Sequence, residues 1–357
     1  MTLSPSMADE DTEQPRRPRW VSILRTVGGI ALGIGSAVLV GRLMGLDWST
    51  VITSLRSVRP LPLLAAVGGT FVLLALQALR WRWVVRPVLP LKYREAFAAM
   101  LVASAFNVLI PARGGDLIRV QYLGKRTGTS RVTLLGTELL DYWSDKVGWL
   151  VAFLFTCVVS ALGWRERPPI WLLHAIAILA LLVLGTGTLA IIAQLPLLRR
   201  LSPRLDPGPR WLQKLRSGLA AHDRRSLLVV ELLLAPLPWL WEVPVVMVAG
   251  HAVDLSLSPM VAFALITAAN LGTVLPVPGG AGSFEAAGAF ALASAGVPHG
   301  VAFAFVLLYH LSLLLPIVVA GVGVLVLEGR SLLPRRRADR LRKRRRSPML
   351  EPGRPGP

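Results

Sequence analysis

The stretch Val274-Leu275-Pro276-Val277-Pro278-Gly279-Gly280-Ala281-Gly282-Ser283-Phe284-Glu285 cuts an apolar segment in two. An earlier stretch, Leu109-Ile110-Pro111-Ala112-Arg113-Gly114-Gly115-Asp116, does the same. In each, a moderately polar helical pattern carrying one asparagine (Asn107, Asn270) runs into Pro-x-x-Gly-Gly, and an acidic residue follows. Proline removes a backbone donor and glycine relaxes the chain, so a helix ends there. Bare backbone in lipid is expensive, so a break at membrane depth survives only if protein buries it or it lines a wet cavity. A tight loop between two full spans is the other reading, since Pro and Gly are commoner in membrane helices than in soluble ones.

Working outward, the chain has 357 residues, 54% of them hydrophobic, and a mean hydropathy of +0.58. A soluble domain of this size needs more polar surface than that. Apolar segments fall near 21–41, 62–80, 134–163, 170–195, 227–250 and 301–327, with the interrupted stretches at 95–118 and 259–297. Several have the length and apolar character of membrane spans. The net charge of +19 does not argue for nucleic acid. The Lys and Arg lie in short segments between apolar runs, without the groove-entering element or interleaved aromatics of a base reader. Cys157, the single cysteine, excludes an intrachain disulfide.

The cations instead report topology, because positive residues stay on the cytoplasmic side. With the N-terminus inside, six spans, and each interrupted stretch returning to its starting side, 33 Lys and Arg fall inside and five outside, with Lys146 in a span. Three spans separate the two breaks, so the breaks enter from opposite faces, as in inverted repeats whose broken helices meet at the midplane. The expected fold is an all-α polytopic membrane protein. It has about six spanning helices plus two Pro/Gly-broken re-entrant helix pairs related as an inverted repeat. Residues 1–20 are expected to be a disordered cytoplasmic tail, 21–329 the transmembrane domain, and 330–357 a polybasic disordered cytoplasmic tail. The run at 21–40 lacks a small-x-small cleavage site and reads as an uncleaved signal anchor. Nine Lys or Arg between Arg335 and Arg346 serve cytoplasmic retention, docking to anionic lipid head groups, or both. The location is the cell membrane, with both termini cytoplasmic.

Charge inside the apolar runs marks the candidate site. Glu138, Asp141 and Asp145, spaced i, i+3, i+7, share one helical face. Each would cost roughly 2.5–3.5 kcal/mol at the centre of a lipid-facing helix, so the face must meet protein, water or other charge. Alternatively, Glu138 and Asp141 sit solvated at the cytoplasmic edge while Asp145 and Lys146 neutralise each other. Glu231, Glu242 and His310 lie in apolar runs as solitary polar residues. Glu285, after the Gly-rich break, is a binding candidate or simply a first-turn acid favoured by the helix dipole. Arg113 sits in the first break, where helix N-terminal amides and a guanidinium suit a phosphate. Arg119, Lys125 and Arg126 behind it make an electropositive mouth; snorkelling of Arg113 to the interface is the alternative. The candidate binding set is Asn107, Arg113, Gly114, Gly115, Asp116, Arg119, Glu138, Asp141, Asp145, Asn270, Pro276, Pro278, Gly279, Gly280 and Glu285. No catalytic or metal-ligating residue is singled out, and no cofactor.

The runs at 111–119 and 276–285, the Glu138-x-x-Asp141 pair and Arg80-Trp81 resemble the lysylphosphatidylglycerol synthase transmembrane region, also described as flippase-like, over about residues 20–330. The resemblance implies lipid handling: in the fused bacterial enzymes this region moves an aminoacylated phospholipid between leaflets. Leu139 departs from the family, which often has Arg there, so a Glu-Arg pair within this helix is not implied. The membrane segments are expected to use the ordered length of this sequence, so synthesis of an aminoacyl lipid by a soluble transfer domain like that of the fused enzymes is not predicted.

The leading expectation is a translocase for an anionic or amphiphilic lipid. Its partner is a membrane phospholipid or lipid-linked substrate, with Arg113 on the phosphate and the acids of the third span along the path. No Gly-x-x-x-x-Gly-Lys-Ser/Thr loop is present, so movement is passive or coupled to an ion gradient. A membrane glycosyl- or acyltransferase using the carboxylates as base or metal ligands stands as an alternative. An accessory subunit of a lipid or glycan synthase in envelope lipid synthesis is another.

Overall fold

Proline and glycine set the punctuation of this chain, and helix fills what lies between. A computed structural model describes residues 47–110, 114–194, 210–219, 225–275 and 277–332, with isolated positions before residue 47. Among them are twelve α-helices and no strand. Helix α1 is Trp48–Arg56, α2 Pro60–Val85, α3 Tyr93–Leu109, α4 Gly114–Thr127, α5 Arg131–Gly163 and α6 Ile170–Gln194. Then follow α7 Arg210–Leu219, α8 Arg225–Leu234, α9 Leu237–Gly250, α10 Pro259–Gly272, α11 Ser283–Ser294 and α12 His299–Leu332. The starts obey local chemistry. Asp47 caps α1 by accepting from the Ser49 amide at 3.0 Å and the Thr50 hydroxyl at 2.7 Å. Proline opens α2 and α10, where its missing N–H costs nothing. Glu95 reaches back to the Lys92 amide at the start of α3.

Four stretches are long and apolar enough to cross a membrane: Pro60–Val85, Arg131–Gly163, Leu232–Val253 and His299–Leu327. The protein is thus an all-α polytopic membrane protein. Of the other two expected spans, 21–41 lies outside the described residues. The segment at 170–195 forms α6, whose apolar part Ile170–Thr186 is shorter than those four. Two boundaries need correction. The second span continues past residue 80 to Val85, so Arg80 is an interior residue of α2 and not a flanking cation. The segment expected at 227–250 is two helices, because Pro236 and Pro238 interrupt the hydrogen-bond ladder between α8 and α9. The expected tails at 1–20 and 330–357 lie outside the described residues, except that residues 330–332 belong to the end of α12.

Both interrupted stretches fold as helix pairs. Helices α3 and α4 pack against each other, and so do α10 and α11. Each pair sits between two long helices, α2 and α5 for the first, α9 and α12 for the second. Across the halves, α2 packs on α9 and α3 on α12. One apolar core centres on Trp149, Trp239, Phe263, Phe303, Phe305 and Tyr309, and a second on Trp81, Met100, Leu123 and Leu134. The C-terminal half of α5 exposes Leu154, Phe155, Val158 and Leu162, and α12 does so with Leu315, Val319 and Val326. So large an apolar surface suits lipid and not water.

The short α7 lies across the first turns of α5. A Cβ on Gly136 would meet the Leu215 carbonyl at 2.5 Å, and one on Gly218 would meet the Thr133 carbonyl at 2.1 Å. Two facing glycines therefore bring backbone onto backbone at this crossing.

Candidate functional site

The polar face of α5 turns inward. Glu138 and Asp141 are 4% and 7% exposed, which rules out solvated positions at a membrane edge. Their neutralisation comes from α2 and α4. Arg80 donates through Nε to Asp141 Oδ1 at 3.0 Å and through Nη1 to Asp145 Oδ1 at 2.7 Å. Arg119 donates to Glu138 and stands 3.7 Å from Asp141 Oδ2. Its guanidinium lies 4.4 Å from the centre of the Trp81 ring, while the Trp81 indole donates to Glu138 Oε1 at 3.0 Å. Such a stacked cation gains about 0.5–2 kcal/mol when desolvated. Arg119 is therefore a buried ion-pair partner and not a mouth cation. Its Nε has no hydrogen-bond partner among the described residues.

Asp145 is shared. Lys146 contacts its Oδ2 at 3.0 Å, the Trp239 indole donates to its Oδ1 at 3.2 Å, and Arg80 supplies the second cation. The expected Asp145–Lys146 pair exists, but as one edge of a network spanning α2, α5 and α9. Burying this much charge is tolerable only with such complete pairing.

The first break is closed by Asn107. Its Oδ1 accepts the Gly115 amide at 2.8 Å, and its Nδ2 donates to Asp116 Oδ1 at 3.3 Å. The side chain thus satisfies an orphan donor at the start of α4. Tyr142 on α5 donates to the other Asp116 oxygen. Only glycine fits at 115, since a Cβ there would stand 2.0 Å from the Ala103 carbonyl. Gly114 opens the same helix. Arg113, on which the sequence placed phosphate recognition, lies outside the described residues, as does Pro276.

The second break works differently. Pro278–Gly280 form a single tight turn, and Gly279, Gly280 and Gly282 all have positive φ, at 60°, 70° and 83°. Other residues would be strained in that region. Glu285 Oε2 accepts the Gly282 amide at 2.6 Å, and its Oε1 meets His310 Nδ1 at 2.7 Å. The His310 ring stacks on Phe284 with centroids 4.0 Å apart. His310 is consequently paired and not solitary. Glu242 also has company: the Tyr309 hydroxyl donates to it at 3.3 Å. Glu231 sits within α8. Asn270 does not mirror Asn107; its Nδ2 donates back to Ile266 O at 2.9 Å within its own helix.

These elements enclose a cavity of about 200 Å³. Of the residues singled out in the sequence, Asn107, Asp116, Arg119, Asp141, Asp145 and Asn270 line it. Arg80, Gln77, Tyr142, Trp239 and Glu242 line it as well and were missed as site residues. Glu138 stands behind, tied to Arg119, while Glu285 serves the second break. The two breaks approach each other, since a Cβ on Gly279 would lie 3.3 Å from the Val108 carbonyl near the end of α3. Four acids on the wall, Asp116, Asp141, Asp145 and Glu242, face two guanidiniums, Arg80 and Arg119. Among the described residues, no three His, Cys, Asp or Glu side chains converge as a metal site.

Apolar helices around a charged, partly hollow interior define a membrane-embedded protein whose polar groups are kept inside the bundle. More particularly, the chain belongs to the lysylphosphatidylglycerol synthase transmembrane region family, whose model matches residues 27–321. It is 30% identical over 139 residues to a UPF0104 membrane protein of Methanothermobacter thermautotrophicus. That alignment covers 38% of this chain and 40% of the relative, so less than half of either is compared.

Proposed function

We propose that the protein is a lipid translocase of the cell membrane, carrying an amphiphilic lipid's head group through the central cavity between leaflets. The observation that carries this reading is the paired-charge wall inside an otherwise apolar bundle. Intramembrane ionisable residues are costly and characteristically line a substrate or ion path. The acid excess on that wall suits a head group that brings hydrogen-bond donors, hydroxyl or amine. Arg113 would take its phosphate from the first break.

The same reading treats the two broken helix pairs as re-entrant and related by inverted topology. It is supported by the matching order of long helix, broken pair and long helix in both halves, and by the approach of Gly279 to Val108. The charge asymmetry of the loops supports having both termini in the cytoplasm, where the basic tail would meet anionic head groups. A lipid or glycan synthase is the kind of protein partner this reading implies.

The test is a leaflet-specific assay of labelled lipid in proteoliposomes. Wild-type protein is expected to equilibrate label across the bilayer, with Arg113→Ala and Asp145→Asn each slowing it by an order of magnitude or more, as loss of one charged contact implies. Wild-type vesicles indistinguishable from empty ones refute the proposal.

A further inference from the structure

A second concavity shares no residue with the central cavity. It measures about 600 Å³ and is lined by Lys92, Arg94, Glu95, Phe97, Ala98, Leu101, Arg126, Val324 and Leu327. That volume falls inside the range of about 300–1,000 Å³ usual for small-molecule sites. The rim and the wall differ in chemistry. Lys92 and Arg94 are exposed at the start of α3, and Arg126 stands in the last turn of α4. Phe97, Ala98 and Leu101 on α3, with Val324 and Leu327 on α12, make an apolar wall, and Leu327 is 72% exposed.

Glu95, the one acid among the described lining residues, is already engaged. Glu95 accepts the Lys92 amide at 3.0 Å and stands 3.8 Å from Arg126. Arg126 also donates to the Tyr122 hydroxyl at 3.0 Å. No acidic side chain among the described residues pairs with Lys92 or Arg94. Among the described lining residues the rim therefore carries three cations, Lys92, Arg94 and the already engaged Arg126, against one carboxylate, next to a wall fit for a hydrocarbon chain. Tyr93 stacks on Phe97 with ring centroids 6.2 Å apart, and its hydroxyl donates to Ala75 O at 3.1 Å, which ties the start of α3 to α2.

We infer that this groove is a binding site for one anionic phospholipid, distinct from the translocation path. The phosphate sits between Lys92, Arg94 and Arg126, and an acyl chain lies along Phe97, Leu101, Val324 and Leu327. Because the wall joins α3 to α12 and Arg126 belongs to α4, an occupant bridges the first broken pair and the last long helix. The inference does not depend on transport.

The test uses full-length protein stripped of lipid in a neutral detergent, with retained lipid counted by native mass spectrometry. The probes are phosphatidic acid, phosphatidylcholine and inorganic phosphate. One phosphatidic acid per chain is expected to bind in preference to phosphatidylcholine. K92A/R94A should weaken it by roughly twenty-five-fold, at about fivefold per surface cation. Ala98→Phe, which fills the groove and keeps every charge, should weaken it too. Equal retention of the two lipids overturns the proposal, and so does phosphatidic acid binding that neither variant alters. Inorganic phosphate bound as tightly as the lipid also overturns it, because the apolar wall would then contribute nothing. Lys92 and Arg94 are exposed, so the first variant keeps the fold; melting curves of both variants confirm it.

Discussion

The two broken helix pairs are held to the long helix that follows by the same device with opposite polarity. In the first half a cation on the second limb, Arg119 of α4, meets an acid on the next helix, Glu138 of α5. In the second half the acid is on the limb, Glu285 of α11, and the base, His310, is on α12. Around these contacts the halves diverge. The first carries Arg80, Asp141 and Asp145 in a buried network that Arg119 joins to Glu138, with Asp116 held beside it by Asn107 and Tyr142, whereas the second is packed with Phe263, Phe303 and Phe305 and has Tyr309–Glu242 as a further polar contact. One architecture thus supports two interiors, one organised by charge and the other by shape.

The largest effect that would break this contrast comes from the charged half. Arg80→Ala leaves Asp141 and Asp145 without their shared guanidinium and is expected to cost about 3–5 kcal/mol, as removal of one partner from a buried ion pair does. Tyr309→Phe in the second half removes a single hydrogen bond and should cost about 0.5–1.5 kcal/mol. Denaturation in detergent micelles reads both, and equal losses would erase the distinction. A middle-sized effect sharpens it. Gly279→Ala forces a Cβ into the left-handed region at φ 60° and should cost about 1–2 kcal/mol without touching any charge, read as a lowered melting temperature. An unchanged melting temperature would mean that the second break is not conformationally demanding.

The smallest effect lies outside both halves, at the cap of α1. Hydrogen bonds from Thr50 and Ser49 hold the Asp47 carboxyl below its ordinary value of 3.8. Its contribution to stability is therefore present above that ordinary value and is lost as pH falls through the lower folded-state value. Asp47→Ala should flatten the acid limb of the melting profile and leave the neutral plateau slightly lowered. An acid limb identical to wild type would assign the acid sensitivity to other groups.

Much of the architecture was legible because proline and glycine act locally. The breaks after Leu109 and Gly272 needed only their own residues to be read. That the acids on α5 share one face followed from their spacing, whereas their inward turn and not a solvated edge position is decided by their burial. What sequence hid was pairing at a distance. Arg80 was counted among loop cations because it ends an apolar run, yet its partners lie 61 and 65 residues away. Glu242 and His310 looked solitary for the same reason, their contacts being set by which helices pack and not by their neighbours in the chain. The parallel between Asn107 and Asn270 was real in sequence but not in use, since Asn107 clasps the opposite limb whereas Asn270 bonds within its own helix.

The crossing of α5 and α7 has a mechanical consequence. Where Gly136 faces Gly218, no compliant layer of side chains separates the two helices. Helix α7 is therefore fastened like a strut to the end of α5 that bears Glu138. A displacement of that end is passed to the strut nearly undamped, and a methyl group at either glycine would unseat the joint.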